Sequence, residues 1–311
     1  MDYTILGRTG LRVSVAGLGC GGPSRLGLKQ NGEKAAVALV RQAMDLGVSF
    51  LDTAEWYGTE PVVGAAIAEV PRDRLIISTK KTIPPLDHPD IEGEIRKSFE
   101  QSLKQLRTDY VDVYHVHGVF PGQYRDVKER LLPGFLKLRR QGKIRSIGIT
   151  ERFPDDPTHK VLLQALEDNC WDVVMIGFNF LNPCARNVFR LTQTQGVGVI
   201  NMYAVRRGLS QPARWKAICA DLAKNGIAAA QSLNSDDPLD FLVHDGGAST
   251  VPEAAYRFCR HEPGVHVVLT GTGNPDHLKA NVEAITKPPL PEAVSKRLAE
   301  IFGNVDWVSG N

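Results

Sequence analysis

Short apolar runs and amphipathic stretches take turns along almost the whole chain. Runs rich in Val and Ile stand at residues 13–18, 49–51, 75–79, 111–116, 144–149, 173–176, 197–202 and 265–269. They are brief and continuously apolar, the pattern of strands buried on both faces, as in a parallel sheet. Helical periodicities lie between them. Residues 92–106 are the clearest: Ile95, Phe99, Leu103 and Leu106 recur at helical spacing, with Arg96, Lys97, Glu100 and Lys104 on the opposite side. Residues 4–10 and the strand that follows predict an N-terminal hairpin turning at Arg8-Thr9-Gly10. Eight strands, each followed by a helix, predict an α/β fold, the (β/α)8 TIM barrel. Its typical size of about 250 residues leaves room for the hairpin and for an extra C-terminal helix at 292–301. No Gly/Ser linker or break in composition interrupts the alternation, so residues 1–311 are read as a single barrel domain. The stretch 209–250 inserts further helix and a polar loop at 234–237.

A competing pattern sits near the start. Gly17-Leu18-Gly19-Cys20-Gly21-Gly22 matches G-x-G-x-x-G after a strand, which imitates a dinucleotide-binding Rossmann start. In that motif the helix opens at the third glycine. Here Pro23-Ser24-Arg25-Leu26-Gly27-Leu28 intervenes, and helical periodicity begins near Lys34. The next strand-end acid, Asp52, also comes later than the about 20 residues the motif requires. A turn-rich strand end is the better reading.

Composition narrows the class of protein. The 311 residues carry a net charge of +2 with no basic stripe, which favours neither nucleic acid nor an anionic membrane as partner. The five cysteines are scattered, without C-x-x-C spacing, which suits a reducing compartment and argues against a zinc site. No signal-peptide pattern and no run of about 18 apolar residues is visible, so a cytoplasmic location is expected.

Candidate chemistry appears at the strand ends. Phe50-Leu51-Asp52 ends an apolar strand in a carboxylate, and Tyr57 follows on a short loop. Lys80 closes the next strand, and His117 the one after it. In a barrel, side chains just beyond the strand C-termini line the functional face. Tyrosine titrates near 10, too high for efficient proton transfer at neutral pH. A neighbouring ammonium such as Lys80 would stabilise the phenolate, Asp52 would fix that ammonium, and His117 would hold a carbonyl oxygen. A polarised carbonyl beside a proton donor is half of a reduction; the hydride must come from a nicotinamide or flavin. Each residue alone has a plainer reading: a helix cap for Asp52, surface charge for Lys80, a buried histidine for His117. His115-x-His117 lacks the further ligands of a metal site, and none is expected. Four such groups in register with three consecutive strands carry the functional reading.

The chain resembles the aldo-keto reductase superfamily. The resemblance runs from Leu6-Gly7-Arg8-Thr9-Gly10 and Gly17-Leu18-Gly19, through Asp52-Thr53-Ala54 with Tyr57-Gly58, to Ser78-Thr79-Lys80. It continues in Asp109-Tyr110-Val111-Asp112-Val113-Tyr114 with His117, in Gly142 to Ile149, and in Thr270-Gly271-Thr272 with Asn281. It implies a barrel that reduces carbonyls with NAD(P)H, Tyr57 as general acid, Lys80 and Asp52 tuning it, and His117 orienting the substrate. For the cofactor it implies contacts from Gly21 and, after strand five, from Thr150. At the next position Glu151 replaces the usual amide, and is expected to accept a hydrogen bond from the carboxamide NH₂. On strand six, Met175 replaces a glutamine. Met202 stands where an aromatic usually stacks on the nicotinamide, with Tyr203 beside it, and Arg206 is the candidate pyrophosphate contact. Gly271, Thr272 and Gly273 precede a helix start suited to phosphate, with His277 and Asn281 facing the adenosine half. The resemblance favours NADP(H) over NAD(H). The implied partner is a small-molecule carbonyl or alcohol, sugars included; the oligomeric state stays open. Trp56, Phe120, Tyr124 and Trp307 are candidate pocket walls. The alternative is a nicotinamide-binding regulatory module of the potassium-channel β-subunit type, which need not keep all four catalytic residues.

Overall fold

The structure, a computed structural model, describes residues 1–245 and 247–311. Strands β1 (Tyr3–Ile5) and β2 (Arg12–Ser14) form the expected antiparallel hairpin, with Tyr3 opposite Ser14. Eight parallel strands follow: β3 (Ala16–Gly19), β4 (Phe50–Asp52), β5 (Ile76–Thr82), β6 (Val111–Val119), β7 (Ile144–Glu151), β8 (Val173–Gly177), β9 (Gly198–Met202) and β10 (Val267–Thr270). They pair in chain order, and β10 closes on β3 through Val268–Ala16 and Thr270–Leu18. The sheet is therefore a closed barrel, and an open Rossmann sheet is excluded.

The hairpin plugs one end of the barrel. Its Leu6, Leu11 and Val13 are buried with inward-facing Phe50, Ile76, Val113, Val173, Ile200 and Val267 in one apolar cluster. Removing such side chains from water contributes about 1.5–3 kcal/mol each. The opposite end, at the strand C-termini, is left for chemistry.

Two boundaries differ from the sequence expectation. The apolar run 13–18 is split, because Ser14 redirects the chain. Its Oγ donates to Ala16 O (2.6 Å) and accepts from Ser49 N (2.9 Å), so the hairpin ends there and the barrel strand starts two residues on. Strands β5, β6 and β7 also run two or three residues past their apolar cores. Polar Lys80 and Thr82 stay in the ladder opposite His115 and His117, and Glu151 opposite Val119. Backbone pairing holds these residues in the sheet although their side chains read as loop.

Helices form the outer layer. Asp90 caps Ile91–Leu106 by accepting from Gly93 N (2.8 Å), and buries the periodic apolar face expected for it. Helix Leu28–Asp45 has a non-helical break at Gly32 (φ 79°), so regular helix begins where the periodicity does. In the insertion 209–250, helix Pro212–Lys224 and Leu239, Phe241 and Leu242 build a second apolar cluster with the C-terminal helix Glu292–Phe302. Gly246, within that insertion, lies outside the described residues. Among the described residues, no helix is long and apolar enough to cross a membrane.

Candidate active site

Barrel alternation aims Asp52, Lys80 and His117 into the open end. Lys80, 1% exposed, donates from Nζ to Asp52 Oδ2 (2.6 Å) and to the Thr53 carbonyl (2.7 Å). Ser78 Oγ donates to the other Asp52 oxygen (2.8 Å). The Lys80 ammonium lies 5.1 Å from the centre of the Tyr57 ring, and the Tyr57 hydroxyl meets His117 Nε2 at 3.2 Å with the rings edge to face. The four residues singled out from the sequence thus converge.

Their electrostatics refine the expectation. Burial is the largest influence on Lys80 and would lower its pKa, but the charge and hydrogen bond of Asp52, with Tyr57 and Cys20, together outweigh it; the net shift is upward, so the ammonium stays charged. Burial raises Asp52, against the pull of Lys80. For Tyr57, burial raises the pKa more than Lys80 lowers it. The expected net lowering of the phenol is therefore corrected: in the folded protein the hydroxyl keeps its proton, and Lys80 limits the rise. Burial, then Lys80 and Arg152, push His117 down to about 3, so the imidazole is neutral. His115 lies one layer deeper in the barrel, fully buried, and is also held neutral by burial; a Cβ on Gly148 would strike its ring at 2.1 Å.

Gly21 packs directly against Tyr57. A Cβ there would stand 2.4 Å from the Tyr57 ring, so the bare backbone of the loop after β3 is the surface against which the phenol packs.

Glu151 departs from the expected carboxamide contact. It faces outward from the barrel and is buried, with both oxygens occupied. His159 Nδ1 bridges them at 2.9 and 3.0 Å, and Gly177 N donates to Oε1 (2.8 Å). With both oxygens engaged by His159 and Gly177 on the outer face, Glu151 points away from the inner face where Thr150 stands, and the carboxamide role expected for it is withdrawn. Thr150, facing inward, accepts from Gly118 N (2.6 Å) and retains a hydroxyl proton to donate. Phe153 stacks parallel to His159 (5.3 Å, 6°) and edge-on to Tyr203 (5.6 Å). Tyr203 holds a left-handed backbone (φ 66°) and carries the Arg206 guanidinium 4.5 Å from its ring centre. Met202 is half-buried at the top of the inner cluster and Met175 is buried within it.

The strand β10 side is built of close backbone contacts. A Cβ on Gly273 would fall 2.5 Å from Gly27, so these two loops touch backbone to backbone. Asn274 caps helix Pro275–Thr286 by accepting from Asp276 N (2.8 Å) and His277 N (3.1 Å). Thr272 Oγ1 accepts from Asn274 N (3.1 Å), His277 is exposed, and Asn281 Nδ2 donates to Thr270 Oγ1 (2.9 Å). Gly271 sits at the strand end, where a Cβ would come 2.8 Å from Gly19 O. Arg206 donates to Asn311 Oδ1 (2.6 Å) and lies over Gly22.

The model of the aldo/keto reductase family matches residues 17–302. The chain belongs to that family. This aldo/keto reductase is 27% identical to the L-galactose dehydrogenase of Arabidopsis thaliana, with 100% of this chain and 98% of that protein covered. It is 25% identical to the uncharacterized oxidoreductase YqkF of Bacillus subtilis, covering 94% of each. Among solved structures it superposes on the holo form of aldo-keto reductase AKR11C1 from Bacillus halodurans with a TM-score of 0.74 and 26% identity, over 97% of this chain and 96% of the other. The protein is accordingly an oxidoreductase of the carbonyl–alcohol class.

Several supporting residues of this aldo/keto reductase carried no sequence signal of their own. Ser78 reads as an ordinary strand residue, and His159 and Phe153 lie in an irregular loop. Inward–outward alternation along β7 was the available clue for Glu151, since it shares a face with Ile149 and not with Thr150. Of the expected pocket walls, Tyr124 is engaged elsewhere: its hydroxyl donates to Asp168 Oδ2 (2.5 Å) and accepts from Trp171 Nε1 (3.2 Å). Trp56 and Trp307 are exposed, at 68% and 47%.

Proposed function

We propose that the protein interconverts an aldehyde or ketone and the alcohol, using a nicotinamide dinucleotide, with Tyr57 as general acid. The observation that carries this reading is the 3.2 Å approach of the Tyr57 hydroxyl to a neutral His117, above the buried Lys80–Asp52 pair. With its proton on Nε2, His117 donates to a carbonyl oxygen placed between the two groups. Tyr57 donates to the same oxygen, and both hydrogen bonds strengthen as charge builds on it. Proton transfer then runs from the Tyr57 oxygen, and the Lys80 ammonium stabilises the phenolate left behind. Asp52 and the Thr53 carbonyl keep that ammonium fixed, so little rearrangement accompanies the step.

The cofactor fits the residues present. Tyr203 offers a flat ring backed by Phe153, Arg206 a guanidinium beside the bare Gly22 backbone, and Thr150 a hydroxyl proton for the carboxamide. Met202 borders the same space. Gly271, Thr272 and Gly273 would pass close to the phosphates, and His277 and Asn281 would face the adenosine half. When bound, the nicotinamide supplies or accepts the hydride. NADP(H) remains favoured over NAD(H), with the exposed His277 as the free polar group for a 2′-phosphate. The whole-length similarity to an L-galactose dehydrogenase supports sugars as one candidate class for the reverse direction.

A panel of aldehydes, ketones and sugars, assayed with NADPH and NADH, tests the reading. Multiple turnovers that depend on Tyr57 are expected. A single round of cofactor oxidation without further turnover would favour the regulatory module instead.

A further inference from the structure

The proton donor and the orienting imidazole each have an arginine–aromatic stack next to them. On one side is Trp56, the residue before Tyr57, with the Arg25 guanidinium 5.2 Å from its ring centre. On the other is Phe120, the residue after the β6 strand that carries His117, with the Arg152 guanidinium 4.3 Å away. Arg152 crosses directly over the backbone beside His117: a Cβ on Gly118 would lie 3.2 Å from its Cγ.

These charges differ from the lysines beneath them. Lys80 and Lys81 are neutralised by Asp52 and Glu55. Arg25 has no carboxylate within ion-pair distance among the described residues. Arg152 has Asp155 at 2.9 Å, but the side chains are 51% and 45% exposed, and an exposed pair of this kind exchanges readily with water or another anion. Arg25 is also held unusually. It and Leu26 both have left-handed backbone (φ 40° and 59°), with Leu26 buried as the anchor. Such conformations persist where the surrounding structure over-determines them, and they cluster at ligand sites. The mouth of the site therefore presents two guanidinium groups against one exposed carboxylate.

We propose that the carbonyl substrate is anionic, an oxo acid or a carboxylated aldehyde, with its carboxylate gripped by Arg152. This rests on the reading of Tyr57 and His117 as the carbonyl-binding pair. The guanidinium fork matches a carboxylate with two parallel hydrogen bonds, and stacking on Phe120 fixes the plane of the fork before the ligand arrives. Its place beside His117 sets the distance between the carboxylate and the carbonyl oxygen, so Arg152 selects among acids as well as for them. Arg25 adds to the field that draws an anion toward the opening, an effect that weakens as salt is raised. Asp155 competes for Arg152, and the substrate must displace it.

The test compares 4-carboxybenzaldehyde with its methyl ester on enzyme saturated with reduced cofactor. The acid should have the higher kcat/KM, and raised ionic strength should increase its KM and not that of the ester. Arg152→Met should raise KM for the acid at least roughly tenfold more than KM for the ester, the scale of a lost charge-assisted hydrogen bond. Arg152→Lys should restore part of the difference, and Asp155→Asn should lower KM for the acid. Equal handling of acid and ester by the wild type, an equal response of both to Arg152→Met, or a neutral sugar turned over better than either would overturn the proposal while leaving the carbonyl chemistry standing. Failure of every carbonyl to turn over would remove the Tyr57 reading, and this inference with it.

Discussion

The Glu151 carboxylate and the His159 imidazole face each other at 2.9 and 3.0 Å, with both side chains shielded from solvent. Burial alone would lower the His159 pKa, but Glu151, helped by Cys184, reverses this and lifts it to about 10. Burial also raises Glu151. Each group keeps its proton to a higher pH in the folded state than in the unfolded chain, Glu151 in the acid range and His159 above neutrality. The His159 contribution is therefore complete below its ordinary value of 6.5 and is lost as pH rises through about 10. Urea midpoints of the wild type should fall across that interval, and those of His159→Gln should fall less. Removing one partner of a buried pair costs about 3–5 kcal/mol, so Glu151→Ala should unfold much more easily. An unchanged midpoint in Glu151→Ala would show that the pair adds nothing.

Tyr57→Phe tests the acid. The ring and its packing on Gly21 are kept while the proton is removed. Carbonyl reduction should drop by at least about 10²-fold, with cofactor affinity, followed by fluorescence titration, nearly constant. Wild-type turnover in this variant would take Tyr57 out of the mechanism.

Gly21→Ala tests how finely that acid is placed. The added methyl meets the phenol ring at 2.4 Å, so the ring must move. A displacement near 1 Å can lower a rate by about 10²-fold. The expected outcome is a fall in kcat with a small change in melting temperature. Full activity would mean that the loop after β3 yields instead of the tyrosine.

His117 is expected to set the acid side of the pH profile. Its folded pKa of about 3 lies below the ordinary 6.5, so its stabilising contribution is present above 6.5 and is lost as pH falls toward 3. His115 shifts in the same direction. The rate should consequently show no ionisation near 6.5, and activity should disappear in acid together with near-ultraviolet circular dichroism. An activity loss centred near 6.5 in a folded protein would contradict a neutral, low-pKa His117.

The barrel was legible because its strands are Val- and Ile-rich and its helices keep a clean apolar face; the hairpin announced itself in Arg8-Thr9-Gly10. Asp52, Tyr57, Lys80 and His117 were legible as strand-end chemistry, and the fold brings them together. Less was visible where side-chain direction decides. Residue type alone made Glu151 a cofactor contact, whereas its outward register gives it to His159. The sign of the Tyr57 shift depended on how deeply the phenol is buried, a quantity set by neighbours distant in sequence, Gly21, Lys80 and His117. The Ser14 break in the first apolar run was hidden because a serine in a strand is unremarkable until its hydrogen bonds are known.

Barrel closure has a kinetic consequence. Ala16 pairs with Val268, so the first and last strands meet only after nearly the whole chain has found its place. Until then β3 and β10 are two open edges of a parallel, largely apolar sheet. Such edges invite pairing with other chains, and contacts this distant in sequence form slowly. Dilute refolding should give better yields than concentrated refolding, and substitutions that weaken the β10–β3 seam should lower recovery of soluble protein before they measurably alter catalysis.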